Sequence, residues 1–200
     1  MSTRTFSMRK AAMRDIPRML SLVNSYAANG TMLPRTEFEI SENIRDFSVA
    51  YDGELLIGCG ALHFYTPVSG EVRSLAVVPQ CTRLGVGRAI IEALEAEARD
   101  NDLESIFAFT YVPQFFGKLG FTEVERGELP LKVWKDCLRC PKFHNCDEIA
   151  VVKRLRVSGI GTQAGALESA APGELIQLPH VTTPTSPRVS VSDLTQTNNF

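Results

Sequence analysis

The stretch from Gly70 to Arg99 constrains the fold most, because it couples a strand, a glycine-bearing turn and a helix. Glu71 to Val78 is short, apolar and rich in β-branched residues, and Pro79 closes it, so it predicts a strand. From Val86 onward Ala89, Ile90, Ala93, Leu94 and Ala98 recur at three- and four-residue steps. That spacing predicts a helix with one apolar stripe and with Glu92, Glu95, Glu97 and Arg99 facing water. Between strand and helix lies Arg83-Leu84-Gly85-Val86-Gly87-Arg88. Glycine lets backbone approach a ligand closely, and a helix start offers unpaired N–H groups at a positive dipole end. Such a turn can hold a pyrophosphate, with Arg83 and Arg88 adding charge. The same residues also suit an ordinary strand-to-helix turn. A dinucleotide fingerprint needs a third glycine, and position 90 carries Ile90 instead.

The flanking sequence supplies further elements. Thr5 to Arg9 reads as a first strand. Asp15 is placed as the N-cap of a helix that buries Ile16, Met19, Leu20 and Val23 and stops at Asn29-Gly30, with Pro17 tolerated in its first turn. Thr36 and Glu39 form a capping box for a second helix toward Arg45. Phe47 to Tyr51 and Leu55 to Tyr65 pair through Asp52-Gly53 as a hairpin. Ser105 to Thr110, Phe121 to Glu125 and Glu148 to Leu155 read as strands, and Pro113 to Lys118 as a short helix. This order predicts an α/β (α+β) domain over residues 1–155, a mixed sheet with helices on both faces. Residues 156–200 are rich in Ser, Thr, Gly, Pro and Ala without hydrophobic period, and are expected to form a disordered tail; Glu174 to Leu178 could alternatively pair with a sheet edge or a second subunit.

Charge and cysteine content narrow the function. A net charge of -2 gives no basic footprint for nucleic acid or an anionic membrane. No apolar run reaches about eighteen residues, and the N-terminus lacks a signal-peptide core, so a cytoplasmic location is expected. Five cysteines in such a chain favour reduced thiols or a metal over a disulfide framework.

The glycine turn and the later Gln114-Phe115-Phe116-Gly117-Lys118-Leu119-Gly120-Phe121 together resemble the GNAT superfamily of acetyltransferases, over about Phe6 to Leu155. The superfamily often carries Gln or Arg three residues before the first glycine, where this chain has Thr82. The resemblance implies a GNAT fold and acetyl-CoA as co-substrate. Arg83, Leu84, Gly85, Val86, Gly87 and Arg88 would then hold the pyrophosphate. The backbone of Leu75, Ala76 and Val77 would bind the pantetheine arm, with an N–H polarising the thioester carbonyl. Phe116 occupies the place where many relatives carry a Tyr general acid, and counts as a cofactor-binding candidate; Tyr111 is the alternative acid.

A finer resemblance rests on the block Leu129 to Glu148, on Gly30-Thr31-Met32-Leu33-Pro34-Arg35-Thr36, and on Gly70 to Val77. These look like the short, single-domain N-acetylglutamate synthases of arginine biosynthesis. L-glutamate or a related amino acid is then the expected substrate. Its two carboxylates call for fixed cations, and Arg35, Arg73 and Lys132 are the candidates. Arg73 interrupts an apolar strand, which suits a wet cleft; pairing with Glu71 two residues away on the same face is the other reading. Glu71 is also the candidate base, acting through water.

Cys137, Cys140, His144 and Cys146 fall within ten positions. Reduced cysteines packing the loop are the favoured reading, with structural zinc and a labile disulfide as alternatives. Cys81 reads as an ordinary small residue. His63 and His180 carry no partner pattern and read as a strand and a tail residue. Two other functions share the glycine turn: acetylation of another amine or a protein N-terminus, and non-catalytic sensing of acetyl-CoA. The sequence leaves the oligomeric state open, with a homodimer as one candidate.

Overall fold

A computed structural model describes residues 6–129, 138, 140 and 142–155. The domain limits and the tail expected beyond residue 155 therefore fall partly outside the described residues. The strands are β1 (Ser7–Lys10), β2 (Phe47–Asp52), β3 (Leu55–Thr66), β4 (Ser69–Val77), β5 (Ser105–Thr110), β6 (Thr122–Val124) and β7 (Ile149–Arg154). They form one sheet in the order β1-β2-β3-β4-β5-β7-β6. The pair β4–β5 is parallel and every other neighbouring pair is antiparallel.

Helices cover both faces. Helices α1 (Ile16–Ala28) and α2 (Glu37–Glu42) bury Ile16, Met19, Leu22, Val23 and Ile40 against Val49, Tyr51, Leu56, Cys59 and Ala61. On the opposite face α3 (Val86–Asp100) and α4 (Pro113–Gly117) bury Val86, Ile90, Ile91, Leu94 and Phe116 against Ile57, Leu62, Val72, Ile106 and Val151. Helix α3 sits close because β3 offers glycines beneath it: a Cβ on Gly58 would lie 2.9 Å from Val86 Cγ1.

Local chemistry explains most boundaries. Thr36 and Glu39 form the expected reciprocal cap of α2, with Glu39 N donating to Thr36 Oγ1 at 3.2 Å and Thr36 N donating to Glu39 Oε2 at 2.8 Å. Gly30 and Gly53 adopt φ of +69° and +56° at the ends of α1 and of β2.

Four expectations need correction. Asp15 stands at the N-cap of α1 but caps nothing with its side chain. Its carboxylate turns back to Arg9, to the Ala12 N–H at 2.8 Å and to the Tyr51 hydroxyl at 2.8 Å, because that buried site offers more donors than the helix end. Within α1 it is Leu22 that is buried, while Leu20 is only half-buried. In α3, Glu95 and Glu97 are not simply solvated: Glu95 pairs with Lys153 on β7 and with Arg99, and Glu97 pairs with Lys10 on β1 at 2.8 Å. The strand expected from Phe121 shortens to Thr122–Val124, since Phe121 turns into the core.

Candidate active site

The site begins where the sheet splits. Strands β4 and β5 pair only at Ser69–Ser105, Gly70–Ile106 and Glu71–Phe107. Past that point β4 continues to Val77 on β3, and β5 continues to Thr110 on β7. Among the described residues no strand covers the β5-facing edge of β4 beyond Glu71, so backbone donors and acceptors line a wedge there. Tyr26 of α1 reaches the far end of this strand, donating its hydroxyl to Val77 O at 2.5 Å.

A bulge sets what faces the wedge. Cys59 lies opposite Ala76 and Ala61 opposite Arg73, so Gly60 alone spans Ser74 and Leu75. Ser74 takes φ of +53°, a conformation costing about 1–3 kcal/mol for a residue with a Cβ. Its effect is to invert the alternation of side chains. Before the bulge Val72 packs under α3 and Arg73 faces α2; after it Leu75 and Val77 pack toward α3 and Ala76 toward α1. The expected pantetheine segment, Leu75, Ala76 and Val77, thus lies immediately beyond the bulge on the open edge.

The glycine turn sits at the end of that edge. Gly85 is the N-cap of α3 with φ of +81°, and no side chain caps the helix. The N–H groups of its first turn therefore remain available to an anion. Arg83, Leu84 and Arg88 are exposed around it, and Arg88 forms an exposed 3.5 Å pair with Glu92. A Cβ on Gly87 would meet Phe115 Cζ at 3.3 Å and Val77 Cγ2 at 3.7 Å, which puts Gly87 between β4 and α4.

Charged groups gather on the other face. Arg73 has a side chain only 12% exposed, and its Nη2 donates to Asn43 Oδ1 at 3.2 Å and approaches Asp46 Oδ2 at 3.5 Å. Asp46 also binds His63 Nδ1 at 2.6 Å. Glu71 lies opposite His63 in the β3–β4 register and at the vertex of the wedge. Arg35 is half-buried in the loop before α2; Asn24 holds its backbone at both N–H and C=O, each at 2.9 Å. Asn43 and Asp46 escaped the sequence reading, and His63, read there as a strand residue without a partner, pairs with Asp46. Their partners lie tens of residues away, and no local spacing signals the contact.

The remaining predicted residues divide. Phe116 is corrected to a core residue: it is 3% exposed and packs edge-on to Phe121 at 5.1 Å. Its neighbour Phe115 stands against Gly87 instead. Tyr111 follows β5 and donates to Asp147 Oδ1 at 3.0 Å, while Lys142 donates to its hydroxyl at 3.1 Å. Burial holds the Tyr111 phenol above its ordinary value, with Lys142 opposing. Near the same end, burial raises the Glu148 carboxyl against the pull of Arg126. Lys132 and Cys137 fall outside the described residues. Cys140 and Cys146 are free and half-buried, His144 is exposed, and no metal-holding cluster of three His, Cys, Asp or Glu occurs among the described residues. No helix among those residues is long and apolar enough to cross a membrane.

A split mixed sheet, a bulged central strand and an uncapped helix beside it define the GNAT fold. The chain belongs to the acetyltransferase (GNAT) family, whose model matches residues 16–121. A Chlorobaculum tepidum protein named an uncharacterized N-acetyltransferase is 41% identical over 148 residues, 74% of this chain and 95% of that protein. An amino-acid acetyltransferase of Mycobacterium tuberculosis is 35% identical, covering 66% of this chain and 76% of its own. N-acetylglutamate synthase from Neisseria gonorrhoeae, solved with coenzyme A and N-acetyl-glutamate, superposes with a TM-score of 0.70 at 27% identity. That match covers 76% of this chain but 35% of the synthase.

Proposed function

We propose that this protein transfers the acetyl group of acetyl-CoA directly to the α-amino group of L-glutamate, or of a close relative of it, in a ternary complex. The observation that carries the reading is Arg73. A half-buried guanidinium one residue before the bulge sits beside the path of the thioester, on the face away from α3, where an anionic acceptor would enter. The amino-acid acetyltransferases among the relatives, and the gonococcal neighbour solved with coenzyme A and N-acetyl-glutamate, support it.

The pyrophosphate of acetyl-CoA would sit on the α3 N-terminus with Arg83 and Arg88, and the pantetheine along Leu75 to Val77. An N–H of that edge faces the thioester oxygen as charge develops on it. Arg73 and Arg35, with Lys132, hold the acceptor's carboxylates. Placing the amine against the carbonyl carbon supplies roughly 7–11 kcal/mol of the barrier. The α-ammonium first gives one proton to Glu71 through water. The freed nitrogen lone pair then attacks the carbonyl carbon, the nitrogen gives its second proton to water, and the tetrahedral intermediate collapses with cleavage of the C–S bond. Coenzyme A leaves as thiolate, protonated by Tyr111 or by solvent. Such an enzyme would carry out the opening acetylation of arginine biosynthesis in the cytoplasm.

Thiol release from acetyl-CoA, scanned over all amino acids, spermidine and short peptides, tests this reading. Turnover with glutamate, or more weakly with glutamine, is expected. Turnover confined to cationic amines would overturn the acceptor assignment, and binding without turnover would favour a sensor.

A further inference from the structure

The face that carries Arg73 also holds a histidine with one nitrogen fixed and one spare. His63 Nδ1 is 2.6 Å from Asp46 Oδ2, so the carboxylate holds the proton on Nδ1 and leaves Nε2 as the basic nitrogen. Tyr65 packs its ring edge-on to the imidazole at 5.0 Å, and the His63 side chain stays 32% exposed. His63 and Glu71 are direct cross-strand partners, which places their Cβ atoms about 5 Å apart on one face. Among the described residues, the titratable and charged groups facing the imidazole are Asp46 from the turn after α2, Glu71 and Arg73 from β4, and Tyr65 from its own strand; Arg45 of the same turn is exposed.

We propose that His63, oriented by Asp46, is a positioning residue that relays to solvent the proton Glu71 takes from the acceptor amine. The inference rests on the acceptor reading above, in which Glu71 faces the amine. The ammonium passes one proton to the Glu71 carboxylate and keeps the N–H bonding pair as its nucleophilic lone pair. Glu71 passes that proton to His63 Nε2, and the imidazolium beside Asp46 loses it to water through its exposed edge. Glu71 returns to carboxylate and His63 to neutral imidazole, ready for the next turnover.

The test is the pH profile of kcat and of kcat/KM for the best amine, in the full chain, with His63→Asn and Asp46→Asn. Asparagine at 63 retains a donor for Asp46 but has no basic nitrogen to take up and pass on a proton. In this variant kcat is expected to fall about tenfold or more, and the wild-type acid limb to flatten. The KM for acetyl-CoA should stay within about twofold, and added imidazole should restore part of the rate. Asp46→Asn should flatten the same limb. Profiles that superimpose on wild type, or a loss confined to the amine KM, would overturn the relay while leaving the acceptor reading intact. Wild-type protein that releases no thiol with any amine overturns both.

Discussion

Ile90 of α3 fills the space that a side chain at Gly60 of β3 would need: a Cβ there would stand 2.7 Å from Ile90 Cγ2. The same glycine lies opposite Ser74 and Leu75 at the bulge, so helix packing and site geometry meet at one position. Gly60→Ala is therefore expected to destabilise the protein by about 1–3 kcal/mol through overpacking. It should also raise the KM for acetyl-CoA, because β4 must shift to accommodate it. Urea unfolding alongside steady-state kinetics checks both; a variant as stable as wild type would contradict the packing.

Asp15 is 1% exposed and binds both Nη atoms of Arg9, at 2.6 and 2.8 Å. The hydrogen bonds from Arg9 hold its carboxyl far below the usual range. A depressed folded-state value gives stability that is full above the unfolded carboxyl value near 3.9 and drains away as pH falls below it. Asp15→Asn should cost about 1.5–3 kcal/mol at neutral pH and flatten the acid side of the stability curve. Equal slopes in the two proteins below about pH 4 would refute the assignment.

Gly87 lies within reach of both Phe115 and Val77, where the α3 N-terminus meets the end of the open strand. Gly87→Val should raise the KM for acetyl-CoA roughly tenfold, about 1.4 kcal/mol, and leave the amine KM nearly unchanged. Isothermal titration with coenzyme A provides an independent reading.

Arg73→Ala and Arg35→Ala should raise the glutamate KM by roughly ten- to a hundredfold while moving the acetyl-CoA KM little, as expected for lost charge-assisted hydrogen bonds. Arg73→Lys should recover little, since an ammonium cannot reproduce the planar fork. Equal changes in both constants would remove these residues from the acceptor site.

Burial pushes the Cys59 thiol up to about 12, and Cys81 is buried as well. Neither should react with Ellman's reagent in the native protein at pH 8, whereas Cys140 and Cys146 are half-buried and should react faster. Fast labelling of Cys59 would mean that the sheet opens between β2 and β4.

Much of this protein was legible in one dimension because its signals are local. The Thr36–Glu39 cap, the Asp52-Gly53 turn, the α3 stripe and the glycines at 85 and 87 each depend on residues within a few positions. Backbone sterics and helical periodicity act over that range. Arg73 was also noticeable, as a charge in an apolar strand. What a strand pairs with, and where that pairing stops, depends on the whole sheet. Only the tertiary structure opened β4 from β5 after Glu71, inverted the strand at Ser74, drew Asp15 away from its helix, and moved Phe116 into the core in favour of Phe115. It alone joined Asp46 to His63 and Arg73, across 17 and 27 positions of the chain. Hydrogen bonds and burial between distant segments decide such contacts, and no periodicity in the sequence records them.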